Sequence, residues 1–274
     1  MNVDKEAYTM VLKNMLVLMD TLPQAADRLA LALELAIEHG ASVTGLFAAA
    51  PHLLPAKRSQ DREVSDELKQ LFLSRTRELG VAGNWVNVEA KTHGGMVETI
   101  NYYATFADLV VVGQTEYGSK ERRVDDHLPE RVVLGSGKPV LIVPYAGQFS
   151  SIGKRALVAW KTGRESARTL ADVLPVLKKS ETVRVFEVNP NEKDVVDMER
   201  LRGYLASHQI SAEVETSAIT ALKVGDVLLN RVADEGSDLL VMGAYAELHF
   251  GTSALGEVAR HVLRHMTVPV LMSH

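Results

Sequence analysis

Two histidines and one glycine-rich stretch are the residues of this chain that come nearest to short chemical motifs. His261 and His265 stand four residues apart, a spacing at which two helical histidines can bind one metal ion. No glutamate follows His261 and no third ligand is evident, so we predict no metal site. Residues 135–138, Gly-Ser-Gly-Lys, resemble a phosphate-binding loop. Such a loop needs Gly where Val132 stands and Ser or Thr where Pro139 stands, so we predict a helix-ending glycine turn instead.

Covalent catalysis has little support in the sequence. The chain contains no cysteine, which excludes thiolate chemistry, disulfides and cysteine-bound metals. No serine stands in a Gly-x-Ser-x-Gly pattern, which would mark the nucleophile of an α/β hydrolase. We therefore predict that the protein has no catalytic residues and is not an enzyme.

Composition and charge exclude further classes of function. The net charge of −5 and the pI of about 6.0 do not favour a nucleic-acid partner, which usually requires a basic surface. No uninterrupted apolar stretch approaches the roughly 18 residues of a membrane span. The charged, mixed N-terminus is unlike a signal peptide. We expect a cytoplasmic protein with neither a membrane nor a nucleic-acid partner.

Alternation of strands and helices predicts the fold. Apolar runs of strand length at residues 15–19, 43–48, 109–112 and 140–143 are separated by stretches with helical periodicity. Continuous Val/Leu strands of this kind are typical of parallel sheets covered on both faces. The Pro-rich residues 51–55 break regular structure, and a charged helix is predicted from about residue 61 to 79.

The second half of the chain repeats this order. Residues 237–243, Ser-Asp-Leu-Leu-Val-Met-Gly, match residues 107–113, and Val268-Pro269-Val270-Leu271 matches residues 138–141. A repeat of this length indicates a duplicated domain. We predict two tandem α/β domains, residues 1–150 and 151–274, each a doubly wound, open parallel sheet of the Rossmann-like type.

The ends of the strands are where a ligand would bind in such a sheet. The residues at the ends of the first and fourth strands are Asp20 and Gly113 in the first half and Lys161 and Gly243 in the second. Trp160 stands beside Lys161, and it either closes the second pocket or offers a surface to an apolar ligand. We favour closure.

From Gly243 to Leu271 the chain resembles the end of a universal stress protein domain. The resemblance rests on the glycines at 243 and 256, on Arg264-His265, and on Pro269-Val270-Leu271, and it extends in outline over both halves. It implies an adenine-nucleotide α-hydrolase-like fold whose Gly-x2-Gly-x9-Gly-Ser/Thr loop and following helix hold ATP phosphates. An aspartate after the first strand would contact the nucleotide.

Neither half keeps the whole signature that the resemblance implies. In the second half the middle glycine is Ala246, the final Ser or Thr is Glu257, and the aspartate is Lys161. In the first half Asp20 and Gly113 remain, but Glu116, Asp126 and His127 stand at the other signature positions. The candidate ligand-binding residues are Asp20, Gly113, Trp160, Lys161, Met242, Gly243, Ala246, Gly256, Glu257 and Val258.

Glu257 is the most damaging change. A helix N-terminus attracts phosphate through its free N–H groups and its dipole, and a carboxylate there competes for those groups and repels the phosphate. We therefore expect weak or no ATP binding, no required cofactor, and at most a small ligand in the strand-end pockets.

The resemblance implies a role in the stress response, and the damaged signatures favour a non-catalytic binding or regulatory protein. The alternatives are an ATP-binding, slowly hydrolysing member of the same family and a nucleotide-dependent enzyme of the same fold group. The resemblance also implies that the two last strands, residues 140–143 and 270–272, pair antiparallel with each other. We further expect a homo-oligomer, most simply a dimer, with Leu53 and Leu54 forming either a pocket lid or a contact surface.

Overall fold

The two halves of the chain share one central sheet in this computed structural model. The structure describes residues 11–49, 55–89, 95–115, 127–149, 152–219, 221–249 and 252–274. The first half contains strands and helices in the order β1 Asn14–Leu18, α1 Ala25–His39, β2 Ser42–Ala49, α2 Pro55–Glu78, β3 Gly83–Glu89, α3 Gly95–Ala104, β4 Leu109–Gly113, α4 Leu128–Gly135 and β5 Val140–Val143. This order confirms the predicted alternation.

The second half repeats this order of strands and helices. Its elements are β6 Arg155–Ala159, α5 Arg164–Leu177, β7 Thr182–Val188, α6 Glu192–Ser207, β8 Ala212–Ser217, α7 Val224–Asp234, β9 Leu239–Gly243, β10 Ala246–His249, β11 Thr252–Leu255, α8 Glu257–His265 and β12 Val270–Ser273. It also contains the β10–β11 pair, which forms a separate two-stranded sheet and was not predicted; the corresponding part of the first half lies outside the described residues.

All the other strands form one ten-stranded sheet with the order β3-β2-β1-β4-β5-β12-β9-β6-β7-β8. Within each half the neighbouring strands are parallel, as predicted. The halves join where β5 pairs antiparallel with β12, Leu141 lying opposite Leu271. The predicted meeting of the two last strands is therefore confirmed. The predicted domain boundary falls at residues 150 and 151, outside the described residues, and stays a prediction.

Helices cover both faces of the sheet, and alternate strand residues feed two cores. Leu109 and Val111 of β4 face a core completed by α1, α2, α5 and α6, whereas Val110 and Val112 face one completed by α3, α4, α7 and α8. Each core contains residues of both halves. The central strands are apolar on both faces for this reason, which explains their continuous Val/Leu runs.

Helix α2 corrects one predicted boundary. It begins at Pro55, before the predicted start at residue 61. Proline is well suited to the first turn of a helix, where an N–H group has no partner within the helix, so Pro55 starts the helix where the sequence suggested a break. Leu53 and Leu54, the predicted lid or contact residues, lie outside the described residues.

His39 ends α1 at a junction between the halves. Its side chain is buried, and its Nε2 atom has no hydrogen-bond partner among the described residues. Lys179, which follows α5 in the second half, donates from Nζ to the carbonyl oxygen of Glu38 over 2.6 Å. Burial, with the nearby charge of Lys179, lowers the pKa of His39 to about 4.

This environment predicts an acid-sensitive junction. The folded pKa lies below the unfolded value of 6.5, so the protonation of His39 costs no stability above pH 6.5. As the pH falls to about 4, unfolding is increasingly favoured, by at most roughly 3 kcal/mol. We expect the free energy of unfolding of His39→Gln to fall less than that of the wild type between pH 7 and pH 4.5. Urea titrations at both pH values measure the difference, and equal losses would contradict the assignment.

Candidate functional site

In the first half, Asp20 is bound by a buried arginine of its own domain. Asp20 follows β1, and its Oδ2 lies 2.9 Å from Nη2 of Arg28, whose side chain is 1% exposed. The other carboxylate oxygen accepts the backbone N–H of Leu22 over 3.0 Å. The aspartate predicted to contact a ligand is thus neutralised within the chain.

Arg28 also fills the space beside Gly113. Its Nε donates to the carbonyl oxygen of Leu18 at the end of β1 over 2.9 Å. A Cβ atom built on Gly113, at the end of β4, would lie 2.3 Å from Nη1 of Arg28. The guanidinium therefore lies between the carboxyl ends of β1 and β4, where a ligand was predicted. Gly113 makes that close approach feasible because it has no side chain.

Arg28 was not predicted, although a signal for it is present in the sequence. Ala25, Arg28, Leu29 and Ala32 stand at i, i+3, i+4 and i+7, which places an arginine on the apolar face of α1. A charged side chain on such a face needs a partner of opposite charge. Asp20 is the carboxylate that meets this need.

In the second half, the start of α5 occupies the corresponding position. A Cβ atom on Gly243, at the end of β9, would lie 2.9 Å from the backbone nitrogen of Ser166 and 3.0 Å from the carbonyl carbon of Glu165. The first turn of α5 thus packs directly on the end of β9. Main chain, rather than a side chain, fills this strand end.

Tyr245 links the segment after β9 to Lys161 and Ser166 through hydrogen bonds of its side chain. Its hydroxyl donates to the carbonyl oxygen of Lys161 over 2.9 Å and lies 3.1 Å from Oγ of Ser166. Burial raises the pKa of Tyr245, and the carboxylates of Glu165 and Glu187 raise it further against the opposing effect of the Ser166 hydrogen bond. The phenol is therefore held protonated among acidic groups.

Trp160 and Lys161 contribute differently to this site. The indole of Trp160 is partly buried and packs against the core that contains α5 and α6. Closure of the second pocket by Trp160 stays a prediction. Lys161 is exposed, and only its carbonyl group takes part in a hydrogen bond among the described residues.

The segment after β9 forms a hairpin instead of the loop that the family resemblance implies. Ala246 begins β10 and pairs with Leu255, the last residue of β11, in an antiparallel hairpin. Between Gly243 and Gly256 the sequence has glycine only at 251, so the segment lacks the flexible backbone of a phosphate loop. The N–H of Gly256 donates to the carbonyl oxygen of Tyr245 over 2.8 Å and closes the base of the hairpin.

Helix α8 begins where the sequence predicted. Gly256 is its N-cap, without a capping side chain, and exposed Glu257 is its first residue. Met242 and Val258, the remaining candidates, pack into the core that contains α7 and α8. These two side chains therefore contribute to the core rather than to a pocket.

Gln114, which was not predicted, connects the two halves next to the first site. It is buried after Gly113, its Nε2 donates to the carbonyl oxygen of Leu263 in α8 over 2.7 Å, and its Oε1 accepts the N–H of Tyr145. Of the first-half signature positions, Glu116 and Asp126 lie outside the described residues. His127 precedes α4, with its Nδ1 3.4 Å from Glu130.

The histidine pair at 261 and 265 and the glycine turn at 135–138 have structural explanations. Nε2 of His261 lies 2.6 Å from Oδ1 of Asp226. The ring centroids of His261 and His265 are 4.4 Å apart. The described part of the chain contains no group of three or more ligands that could hold a metal. Ser136 caps α4 and Gly137 has φ of 64°, which confirms the predicted helix-ending turn.

The fold defines a class: two tandem Rossmann-like domains whose sheets join through their last strands. The chain belongs to the universal stress protein family, whose model matches residues 12–144 and again residues 155–274. No helix in the described ranges has the length and apolar character needed to cross a membrane.

Two solved structures share this architecture. One is a universal stress protein from Archaeoglobus fulgidus DSM 4304, which matches with a TM-score of 0.77 at 17% identity over 95% of each chain. The other is a functionally unknown protein from Pseudomonas aeruginosa PAO1, with a TM-score of 0.62 at 14% identity over 96% of this chain and 92% of that one. No curated protein matches the sequence. At these identities the structures establish the fold alone.

The packing of α5 on Gly243 gives a direct test. Gly243→Ala places a methyl group within 3.0 Å of main-chain atoms, which cannot move aside as a flexible side chain can. We expect a loss of about 1–3 kcal/mol in the free energy of unfolding. Gly203→Ala in α6 is the control, because no atom lies within 4 Å of its built Cβ. That variant should gain about 0.5–1 kcal/mol through helix propensity. If denaturant titrations gave the same change in the free energy of unfolding for Gly243→Ala and Gly203→Ala, the packing of α5 on Gly243 would be contradicted.

Proposed function

We propose that this tandem universal stress protein acts in the stress response as a non-catalytic binding or regulatory protein whose two nucleotide sites are closed. One observation carries the proposal: groups of the chain itself fill both strand ends where the family resemblance implies a nucleotide. The two halves are filled by different groups.

In the first half the charge arrangement opposes nucleotide binding. A ligand that used Asp20 would have to displace Arg28 from a carboxylate 2.9 Å away and from the carbonyl oxygen of Leu18. Breaking a buried ion pair by withdrawing one partner typically costs about 3–5 kcal/mol. The same movement would be needed to expose the backbone of Gly113, because the guanidinium lies against it.

In the second half a backbone donor beside the start of α8 is already used within the chain, and negative charge surrounds the site. The N–H of Gly256 is bound to Tyr245, and the hydroxyl of Tyr245 is bound to Lys161. Glu257 places a carboxylate in the first turn of α8, where the helix dipole would otherwise favour an anionic phosphate. Buried Glu187 and partly buried Glu165 add negative charge around Tyr245.

The described side chains also favour a protein without catalysis. Ser166, whose hydroxyl lies 3.1 Å from that of Tyr245, is buried, and the raised pKa of Tyr245 disfavours the phenolate that a base would require. His261 and Asp226 form a close pair, but no hydroxyl of a described residue hydrogen-bonds to His261. An activated nucleophile needs such a contact.

Calorimetry with ATP tests the closed sites. The wild type should give no binding at micromolar concentration. The variant Ala246→Gly with Glu257→Ser should gain affinity for ATP, because it restores a flexible loop and removes the carboxylate from the helix start. Glu181→Ser is the matched control, since Glu181 is exposed and precedes β7 at the opposite end of the sheet.

Micromolar ATP binding by the wild type would contradict the proposal. Release of phosphate from ATP by the wild type would favour the slowly hydrolysing alternative. An equal gain of affinity in Glu181→Ser would show that net charge alone, and not the position of Glu257, controls binding.

A further inference from the structure

The ten-stranded sheet ends in two edge strands of different character. These are β3 at one end and β8 at the other. Most of β3 is exposed or partly exposed, including Asn84 and Asn87. An edge strand presents a row of unpaired backbone groups to which another strand can bind.

The hydrogen bonds of β2 show which groups of β3 point outward. The N–H of Val43 donates to the carbonyl oxygen of Ala82 over 2.8 Å, and Val43 lies opposite Gly83 in a parallel register. Because hydrogen bonding alternates along a parallel strand, the N–H and C=O groups of Asn84, Val86 and Val88 point toward β2. Gly83, Trp85 and Asn87 therefore direct their N–H and C=O groups away from the sheet. No described residue forms a hydrogen bond to these outward groups.

Charges protect β8 but are nearly absent from β3. Alternate residues of β8 are Glu213 and Glu215, which form ion pairs with Arg184 and Arg231. In β3 the first six residues are uncharged, and only Glu89 at its end carries a charge. Charged side chains on an edge are a common means of preventing strand addition. Among the described residues, β8 is thus an edge guarded by charges and β3 is an open edge.

We propose that β3 is the contact through which a second copy of this chain binds, with the two β3 strands antiparallel about a two-fold axis at Val86. In this register Trp85 of one copy lies opposite Asn87 of the other, and both residues have outward backbone groups. Gly83 lies opposite Glu89, so no like charges meet. The two ten-stranded sheets then continue into one another.

The other pairings between copies are less favourable. Pairing of β8 with its own copy about Val214 would set Glu213 opposite Glu215 twice, and like charges across a strand pair are destabilising. Pairing of β3 with β8 would be head-to-tail, which does not close at two copies and leads to open chains. The β3–β3 contact closes as a dimer and leaves both guarded edges outside.

Sedimentation velocity of the full chain over a wide dilution series tests the contact. The wild type should convert from monomer to dimer as concentration rises. Asn87→Pro removes an outward N–H without removing a bond to β2, so it should stay monomeric. Thr216→Pro is the matched control, because the bond from Asn189 to the carbonyl oxygen of Ser217 places the groups of Thr216 on the outer side of β8. This control should dimerise as the wild type does, and circular dichroism checks that both variants are folded.

The absence of cysteine permits a second test of the register. Val86 faces β2, so two Val86 residues on the axis form a non-hydrogen-bonded pair with Cα atoms about 4.5 Å apart, within reach of a disulfide. Val86→Cys should form a disulfide-linked dimer under mild oxidation. Val214→Cys in β8 should remain uncrosslinked.

Several results would overturn the proposal. A wild type that stays monomeric at the highest concentration has no such contact. A dimer that persists in Asn87→Pro, together with Val86→Cys that does not crosslink, uses another surface. Dissociation caused by Thr216→Pro would indicate head-to-tail pairing of β3 with β8.

Discussion

The antiparallel contact between β5 and β12 determines how the rest of the molecule is arranged. Leu141 and Leu271 meet at its centre, and each strand has a parallel neighbour of its own half on the other side. Two five-stranded sheets thereby become one, with a shared core on each face. Because the last strands of the two halves pair with each other, neither is an edge strand, and the edges of the sheet are β3 and β8. The contact also brings α8 within reach of Gln114, so each half supports the other beside its strand-end site.

The two halves keep one framework but fill their strand ends by different means. In the first half a side chain does so: Arg28 pairs with Asp20 and lies against Gly113. In the second half the main chain of α5 lies against Gly243, and Tyr245 ties the following segment to Lys161 and Ser166. Both strand ends have a glycine, although the group that lies against each glycine belongs to the chain itself. A retained signature glycine is therefore weak evidence for a bound nucleotide, because close packing of the chain on itself requires the same small residue.

The sequence predicted the framework better than the sites, for physical reasons. Apolar periodicity is a property of each segment, so the strands, the repeat and the final helix from Glu257 followed from it. The β10–β11 hairpin did not, because residues 246–255 lack strong periodicity and the family resemblance suggested a loop. The Asp20–Arg28 pair joins neighbouring elements, and only the position of Arg28 on an apolar helix face hinted at it. The contacts of Gly243 with α5 and of Tyr245 with Lys161 depend on tertiary packing, which no local pattern encodes.

The central claim is that groups of the chain itself occupy the positions that a nucleotide would take. Native mass spectrometry of the full chain, purified without added ligand, tests it most directly. The account predicts the mass of the polypeptide alone, or of two copies, with no stoichiometric adduct, and the same after incubation with excess ATP and buffer exchange. A stoichiometric adduct with the mass of an adenine nucleotide, on either one or two sites of each chain, would contradict it.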